Sequence, residues 1–205
     1  MTGLANRALF KRQLASLFER SISEDGHDAL LLIDLDHFEE VNDSLGHSAG
    51  DSLLIHVADV LKQELGPQAF VARVGGDEFA VLTNSQSTST REPIALANRI
   101  IAKLSVPVEL AEGEACVGAT IGVAVLPEHG ATAEKASRNA DLALYMAKEA
   151  GRGRVQLFEP VYAEAVDQKL DLGRRLRHAV ETGGLDAHYR RPLHCGYRSR
   201  RPDRT

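Results

Sequence analysis

The apolar positions change period several times along the chain, and each change marks an element. Residues 5–20 place Ala8, Leu9, Leu14, Leu17 and Phe18 among lysines and arginines, the spacing of an amphipathic helix. After the polar stretch Ser21–Asp28 comes Ala29-Leu30-Leu31-Leu32-Ile33, an unbroken apolar run ending in Asp34. A run that short and continuous predicts a central strand buried on both faces. Residues 37–46 read as a short helix or loop closing at Gly46. Residues 48–65 form a helix with Leu53, Leu54, Val57, Ala58, Leu61 and Leu65 on one stripe, stopped by Gly66-Pro67.

Two strand-like runs follow, Phe70–Val74 and Asp77–Leu82, separated by Gly75 and Gly76 alone. Such spacing predicts a hairpin whose two-residue turn needs positive φ. A helix is expected near 90–105, with Ile94, Ala97, Ile100, Ile101 and Leu104 inward. Residues 115–126 are β-rich, carrying Val117, Ile121, Val123 and Val125. Residues 132–150 form a helix with Ala136, Ala140, Ala143, Leu144 and Ala147 at helical spacing, capped by Gly151, and Val155–Phe158 is a last short strand. Pro160 opens a charged helix to about Thr182, ended by Gly183-Gly184, the expected placement of proline and glycine at helix ends. The order predicts an α/β (α+β) fold with helices on one or both faces of a mainly antiparallel sheet. A domain boundary falls near Glu159.

Composition adds little to this picture except by exclusion. The 205 residues suffice for one α/β domain and a remnant of another, and with no Trp the core must be aliphatic. A net charge of −5 argues against a nucleic-acid partner. The last residues are the exception: Arg190, Arg191, Arg198, Arg200, Arg201 and Arg204 face only Asp203. Cys116 and Cys195 have no metal or CxxC spacing and read as incidental thiols of a reduced, cytoplasmic protein. No apolar run reaches the roughly 18 residues of a membrane span.

Four groups of residues could carry chemistry. Asp34 and Asp36 end the buried strand. They either reach solvent there or hold a hard cation such as Mg²⁺ through carboxylate oxygens. Gly75-Gly76-Asp77-Glu78 is either a plain hairpin or a close approach for a phosphate or ribose, with acids that complete a metal site. Asn42 and Asp51 could read a guanine edge, or could cap and charge a helix start. Lys148 and Arg152 could hold phosphates, or could complement a helix C-terminus. Histidines show no HxxxH or HExxH spacing.

Taken in order, these pieces resemble one family. Thr2-Gly3-Leu4-Ala5-Asn6-Arg7 is similar to its opening LTGLxNR element, and Ile33–Phe38 to its IDxDxF strand. Asn42-Asp43, Gly46-His47 and Gly50-Asp51 match its ND…GHxxGD spacing, and Arg73–Phe79 is its RxGGDEF signature. Thr120–Ala124 and Ala140–Arg152 resemble its SIGVA strand and ADxALYxAKxxGR helix. Residues 1–158 are thus identified as resembling the GGDEF diguanylate cyclases.

The resemblance implies a cyclase/palm-like fold and condensation of two GTP into cyclic di-GMP and pyrophosphate. It implies that Asp34, the Leu35 carbonyl, Asp77 and Glu78 hold Mg²⁺ or Mn²⁺, and that Asp77 and Glu78 are catalytic. Phe38, Asn42, Asp51, Gly75, Gly76, Lys148 and Arg152 would bind substrate. Catalysis would need a homodimer, with a sensor or EAL phosphodiesterase domain in the parent protein. Residues 160–184 resemble the linker into an EAL domain, and 185–205 a remnant of its start, a truncated or frame-shifted tandem arrangement. Glu39 stands where the family has a lysine, and Gly66-Pro67-Gln68-Ala69 replaces its RxxD inhibition motif. Besides the enzyme, a GTP-binding regulatory domain and a non-functional fragment are consistent with these departures.

Overall fold

The computed structural model describes residues 2–23, 28–65, 69–83 and 90–181. The elements in order are α1 (Arg7–Ser23), β1 (Asp28–Asp36), α2 (Phe38–Leu45), α3 (His47–Leu65), β2 (Phe70–Arg73), β3 (Glu78–Thr83) and α4 (Arg91–Leu104). They continue as β4 (Val108–Leu110), β5 (Gly113–Ala115), β6 (Gly118–Leu126), α5 (Ala133–Glu149), β7 (Val155–Leu157) and α6 (Pro160–Glu181). One compact unit runs from Met1 to Val166 and a second from Asp167 to Thr205. In the second, the described residues are the remainder of α6. The predicted basic tail, Cys195 and the Gly183-Gly184 stop lie outside the described residues, as do Gly66, Pro67 and Gln68.

The main sheet has the order β2-β3-β1-β6-β7. β1 is central and antiparallel to both β3 and β6, and only β6 and β7 run parallel. That is the mainly antiparallel α+β sheet the pattern predicts. The continuous apolar run of β1 has its predicted cause, because helices cover both faces. Ala29, Leu31, Ile33 and Leu35 point to one side and join a core with residues of α3 and α4, including Leu53, Val57, Leu61, Ala97 and Ile100. Leu30 points to the other and joins Phe10, Leu14, Phe18, Ala136 and Ala140 of α1 and α5. Each fully buried Leu or Ile contributes about 1.5–3 kcal/mol to this arrangement.

On the second face small residues set the spacing. A Cβ on Gly122 of β6 would collide with the Ala140 carbonyl and the Leu144 amide of α5. The absent side chain therefore lets α5 lie directly on β6.

Two features depart from the sequence pattern. The small β4–β5 hairpin was not predicted; its strands are three residues each and carry too few apolar positions for a period to show. The β2–β3 loop is also longer than two residues, spanning Val74–Asp77. Neither Gly75 nor Gly76 has positive φ. The amides of Val74 and Gly75 both donate to the Glu78 carbonyl, at 2.9 and 3.2 Å, so the strand bulges instead of making the tight turn expected.

Buried polar groups are paired. Asp28 accepts from the Ser21 hydroxyl at 2.7 Å and from Arg20 at 3.3 Å, tying the end of α1 to the start of β1. Asn139 of α5 donates to the His129 carbonyl at 3.0 Å, and the Val125 amide donates to His129 Nδ1 at 3.1 Å. The ring packs edge-on against Phe158, which in turn packs edge-on against Tyr162 in the first turn of α6.

Burial lowers the His129 pKa from its ordinary value of 6.5, and Glu128 at 3.8 Å only partly opposes this. A folded value below the unfolded one means that the stabilisation is full above about 6.5 and is lost as pH falls through the folded value. Chemical denaturation should therefore show stability dropping between pH 7.5 and 5.5, with a smaller drop in His129→Gln. An equal drop in both proteins would exclude His129 as the source.

Candidate active site

The site forms where β1 ends, because a buried strand there carries two acids. Their side chains point to the same face, two residues apart. Asp34 lies directly opposite Glu78 across the β1–β3 ladder and opposite Thr120 across β1–β6. The Leu35 amide donates to the Asp77 carbonyl at 3.2 Å, so the GGDEF loop is stitched to the strand end. Asp34, Leu35, Asp77 and Glu78 are thereby brought together, as expected.

The loop is held in shape by Arg73, whose Nε and a terminal nitrogen both donate to the Gly76 carbonyl, at 3.1 and 2.6 Å. Arg7 donates from Nε to the Val74 carbonyl at 2.7 Å and approaches Glu78 at 3.5 Å. Gly75 matters for space: a Cβ there would strike the Glu78 carboxylate. Around Gly76 there is open room, with nothing within 4 Å of an added Cβ.

The two strand-end acids have different partners. Asp34 accepts from the Lys148 ammonium at 2.6 Å, with its side chain only 13% exposed. Burial raises its pKa, Lys148 pulls it back, and the neighbouring acids Asp77 and Asp36 push it up again. Asp36 is buried and hydrogen-bonded on both oxygens. It accepts from the Thr120 hydroxyl at 2.7 Å and the Gly153 amide at 3.1 Å, with Arg152 at 3.9 Å. Asp36 is thus an anchor that ties β1 and β6 to the α5–β7 loop. It does not reach solvent, which was one of the two roles open to it. Arg152 itself has φ of 56°, a left-handed position that turns the chain after α5.

A second cluster forms on α2 and α3. His37 alone connects β1 to α2, in the left-handed region at φ 62°, with its ring 2.6 Å from Glu40. Phe38 is buried, and the side chains of Asn42 and Phe38 lie over Gly50. A Cβ at Gly50 would meet Asn42 Oδ1 and come within 3.2 Å of the Phe38 ring. Asp51, beside Gly50 at the start of α3, is exposed. Asn42 and Phe38 of α2 therefore pack against Gly50 in the first turns of α3, next to the exposed Asp51. Glu39 is exposed in the first turn of α2. Sequence reasoning missed Thr120 and Gly153 as partners of Asp36, since only the fold brings them together.

A cavity of about 550 Å³ continues from the loop along the α1–α5 face, with Phe10, Leu32 and Leu144 in its apolar lining and Arg7, Glu78 and Arg138 among its polar residues. Such a volume is ordinary for a small-molecule site.

The donors suit a divalent cation. They are oxygens of Asp34 and Glu78, opposite each other across β1 and β3, with Asp77 close enough to act on the charge of Asp34. Among the described residues no three His, Cys, Asp or Glu side chains close around one point. A hard cation held there would draw most of its oxygen ligands from water or phosphate.

Comparison with known proteins decides the family. The family described as "Diguanylate cyclase, GGDEF domain" matches residues 1–154. The chain belongs to the GGDEF family. An uncharacterised signalling protein of Caulobacter vibrioides is 38% identical over 189 residues, which are 92% of this chain and 23% of that protein. The bifunctional diguanylate cyclase/cyclic di-GMP phosphodiesterase MucR of Pseudomonas aeruginosa is 35% identical over 92% of this chain and 27% of its own. The chain therefore spans about a quarter of the length of these two relatives. The crystal structure of the GGDEF domain of PA1120 (YfiN or TpbB) from Pseudomonas aeruginosa is 39% identical, with a TM-score of 0.74, over 78% of this chain and 99% of that one. Among the described residues no helix is long and apolar enough to cross a membrane.

Replacing Thr120 by Val keeps the shape but leaves the buried Asp36 carboxylate short of its hydroxyl donor. Urea unfolding should show a loss of roughly 1–3 kcal/mol, largely restored in Thr120→Ser. An unchanged midpoint would mean that Gly153 and Arg152 suffice for Asp36.

Proposed function

We propose that this GGDEF domain is a diguanylate cyclase, joining two GTP into cyclic di-GMP with release of two pyrophosphates. The observation that carries the reading is the meeting of Asp34 with Glu78 across β1 and β3, beside a loop stitched to the strand end and a lysine at hydrogen-bond distance. Its GGDEF relatives include the Pseudomonas aeruginosa protein named diguanylate cyclase TpbB, 39% identical over 160 residues.

Each bond-forming step is a substitution at phosphorus. The 3′-oxygen of one GTP bonds to the α-phosphorus of the other, the bond to the β-phosphate oxygen breaks, and the 3′-hydroxyl proton leaves to a base. In this reading Asp77 or Glu78 takes it, directly or through water. Asn42 and Asp51 hold the guanine by its amide edge, with Phe38 as the floor beneath Asn42. Gly75 and Gly76 leave room for the ribose and phosphates. Lys148 and Arg152 hold the phosphate tail by charge-assisted hydrogen bonds.

Asp34, the Leu35 carbonyl, Asp77 and Glu78 are the residues that would hold Mg²⁺, or Mn²⁺ in its place. When bound, the ion would neutralise charge on the phosphate oxygens and lower the pKa of a coordinated hydroxyl. Each domain holds one GTP, so two copies must face each other and the active form is a homodimer. In the parent protein, residues 160–184 would be the linker toward a further domain. The match to MucR over 189 residues, longer than the 154 residues of the family match, supports that reading.

A second reading, a GTP-binding domain without turnover, is favoured by Glu39. An exposed acid in the first turn of α2 repels a triphosphate at a helix end that would otherwise attract it.

Purified protein at high concentration with GTP and Mg²⁺ should yield cyclic di-GMP, detected by mass, and Asp77→Ala should abolish it. GTP binding without product would select the second reading, and no binding would sink both. Glu39→Lys exchanges a repulsive charge for an attractive one, so KM for GTP should fall roughly tenfold; an unchanged KM would remove Glu39 from the argument.

A further inference from the structure

We propose that Lys148 is a place-holder in the cation seat: its ammonium and the divalent ion exclude each other at Asp34, and the arriving ion frees the lysine for the nucleotide's phosphates. This rests on the proposed reading of the site and adds an order of events to it.

Three acids, Asp34, Asp36 and Asp77, gather at the end of β1, and Glu78 stands opposite Asp34. Each available cation reaches one of these acids differently. Arg7 approaches Glu78 only at 3.5 Å and is itself 63% exposed. Arg152 stands 3.9 Å from Asp36, which already has two better donors. Lys148 alone makes short contact, at 2.6 Å, and it does so with the acid that the cation also needs.

The two occupants oppose each other. An ammonium 2.6 Å from Asp34 Oδ2 and a divalent ion on the same small carboxylate would sit a few ångströms apart as like charges in a partly desolvated place. That repulsion favours the departure of one, and the lysine can leave. Its backbone is fixed, because α5 packs directly on β6 at Gly122, but the ammonium rides on a flexible four-carbon stem and is about one-third exposed. Once displaced it lacks a counter-charge unless phosphates arrive. Ion and nucleotide therefore bind cooperatively, and by linkage each raises the affinity of the other by the same factor.

The test titrates Mn²⁺, read by electron paramagnetic resonance, into the full chain without nucleotide. Lys148→Met should bind Mn²⁺ about tenfold or more tightly than the wild type, since removing a competing positive charge at this range is worth at least that. Lys148→Arg keeps the charge and should not gain. Adding a non-hydrolysable GTP analogue should tighten Mn²⁺ in both proteins, because its phosphates ligate the ion, and by a clearly larger factor in the wild type. Asp34→Asn should lose the high-affinity Mn²⁺ signal in every background. Equal or weaker Mn²⁺ affinity in Lys148→Met, with the fold intact by circular dichroism, would overturn the proposal. So would a nucleotide effect of the same size in both proteins. A wild type that makes no cyclic di-GMP yet shows the Mn²⁺ gain in Lys148→Met would refute the cyclase reading and leave the competition standing.

Discussion

A strand buried on both faces that ends in carboxylates imposes a demand on everything around it. β1 can be central only because helices cover each side, and its acids can be near the interior only if cations, donors or water reach them. The fold answers twice. At Asp36 the answer comes from the frame itself: a threonine hydroxyl from β6 and a backbone amide from the α5–β7 loop donate to the carboxylate. At Asp34 the answer, among the described residues, is Lys148 from the end of α5, whose ammonium sits on a flexible stem. Two acids with the same parent strand therefore end in different roles. The difference lies in whether their partners are backbone-anchored or carried on a flexible stem.

That contrast also explains which parts of the site were legible in the sequence. Asp34, Asp77, Glu78 and Lys148 lie in stretches whose spacing resembles a known motif order, and the fold does bring them together. The central strand was legible from Ala29–Ile33 because burial on both faces erases alternation, and the helices were legible from their stripes. Asp36 was ambiguous. A second carboxylate two residues along the strand carries the same local signal as the first. What distinguishes it is Thr120, 84 residues away across β1–β6, and no local pattern encodes that pairing.

The glycines were legible as important and misread as to reason. A Gly-Gly pair between strand runs suggests positive φ, yet neither residue adopts it. Gly75 is required because a side chain there would strike Glu78, and Gly50 because one would strike Asn42. Gly122 works the same way against α5. In all three cases the glycine protects the position of a neighbour, a steric role that turn statistics do not anticipate. The β4–β5 hairpin escaped for a simpler reason: strands of three residues cannot display a period.

Glu39 shows how far a local charge can act on such a frame. It sits in the first turn of α2, within five residues of Asp34 in the chain, and only His37 separates that helix from the strand end. Its neighbour Glu40 is engaged by His37, whereas Glu39 is exposed. In the proposed cyclase reading, a phosphate arriving there meets an unfavourable charge on one side and Lys148 and Arg152 on the other. Those two cations would then do more of the holding than they would with a base at position 39. That reading shifts weight onto the same lysine that pairs with Asp34 at the strand end. The demands of β1 and of a nucleotide would thus converge on one side chain, and the order in which it serves them would set how the site loads.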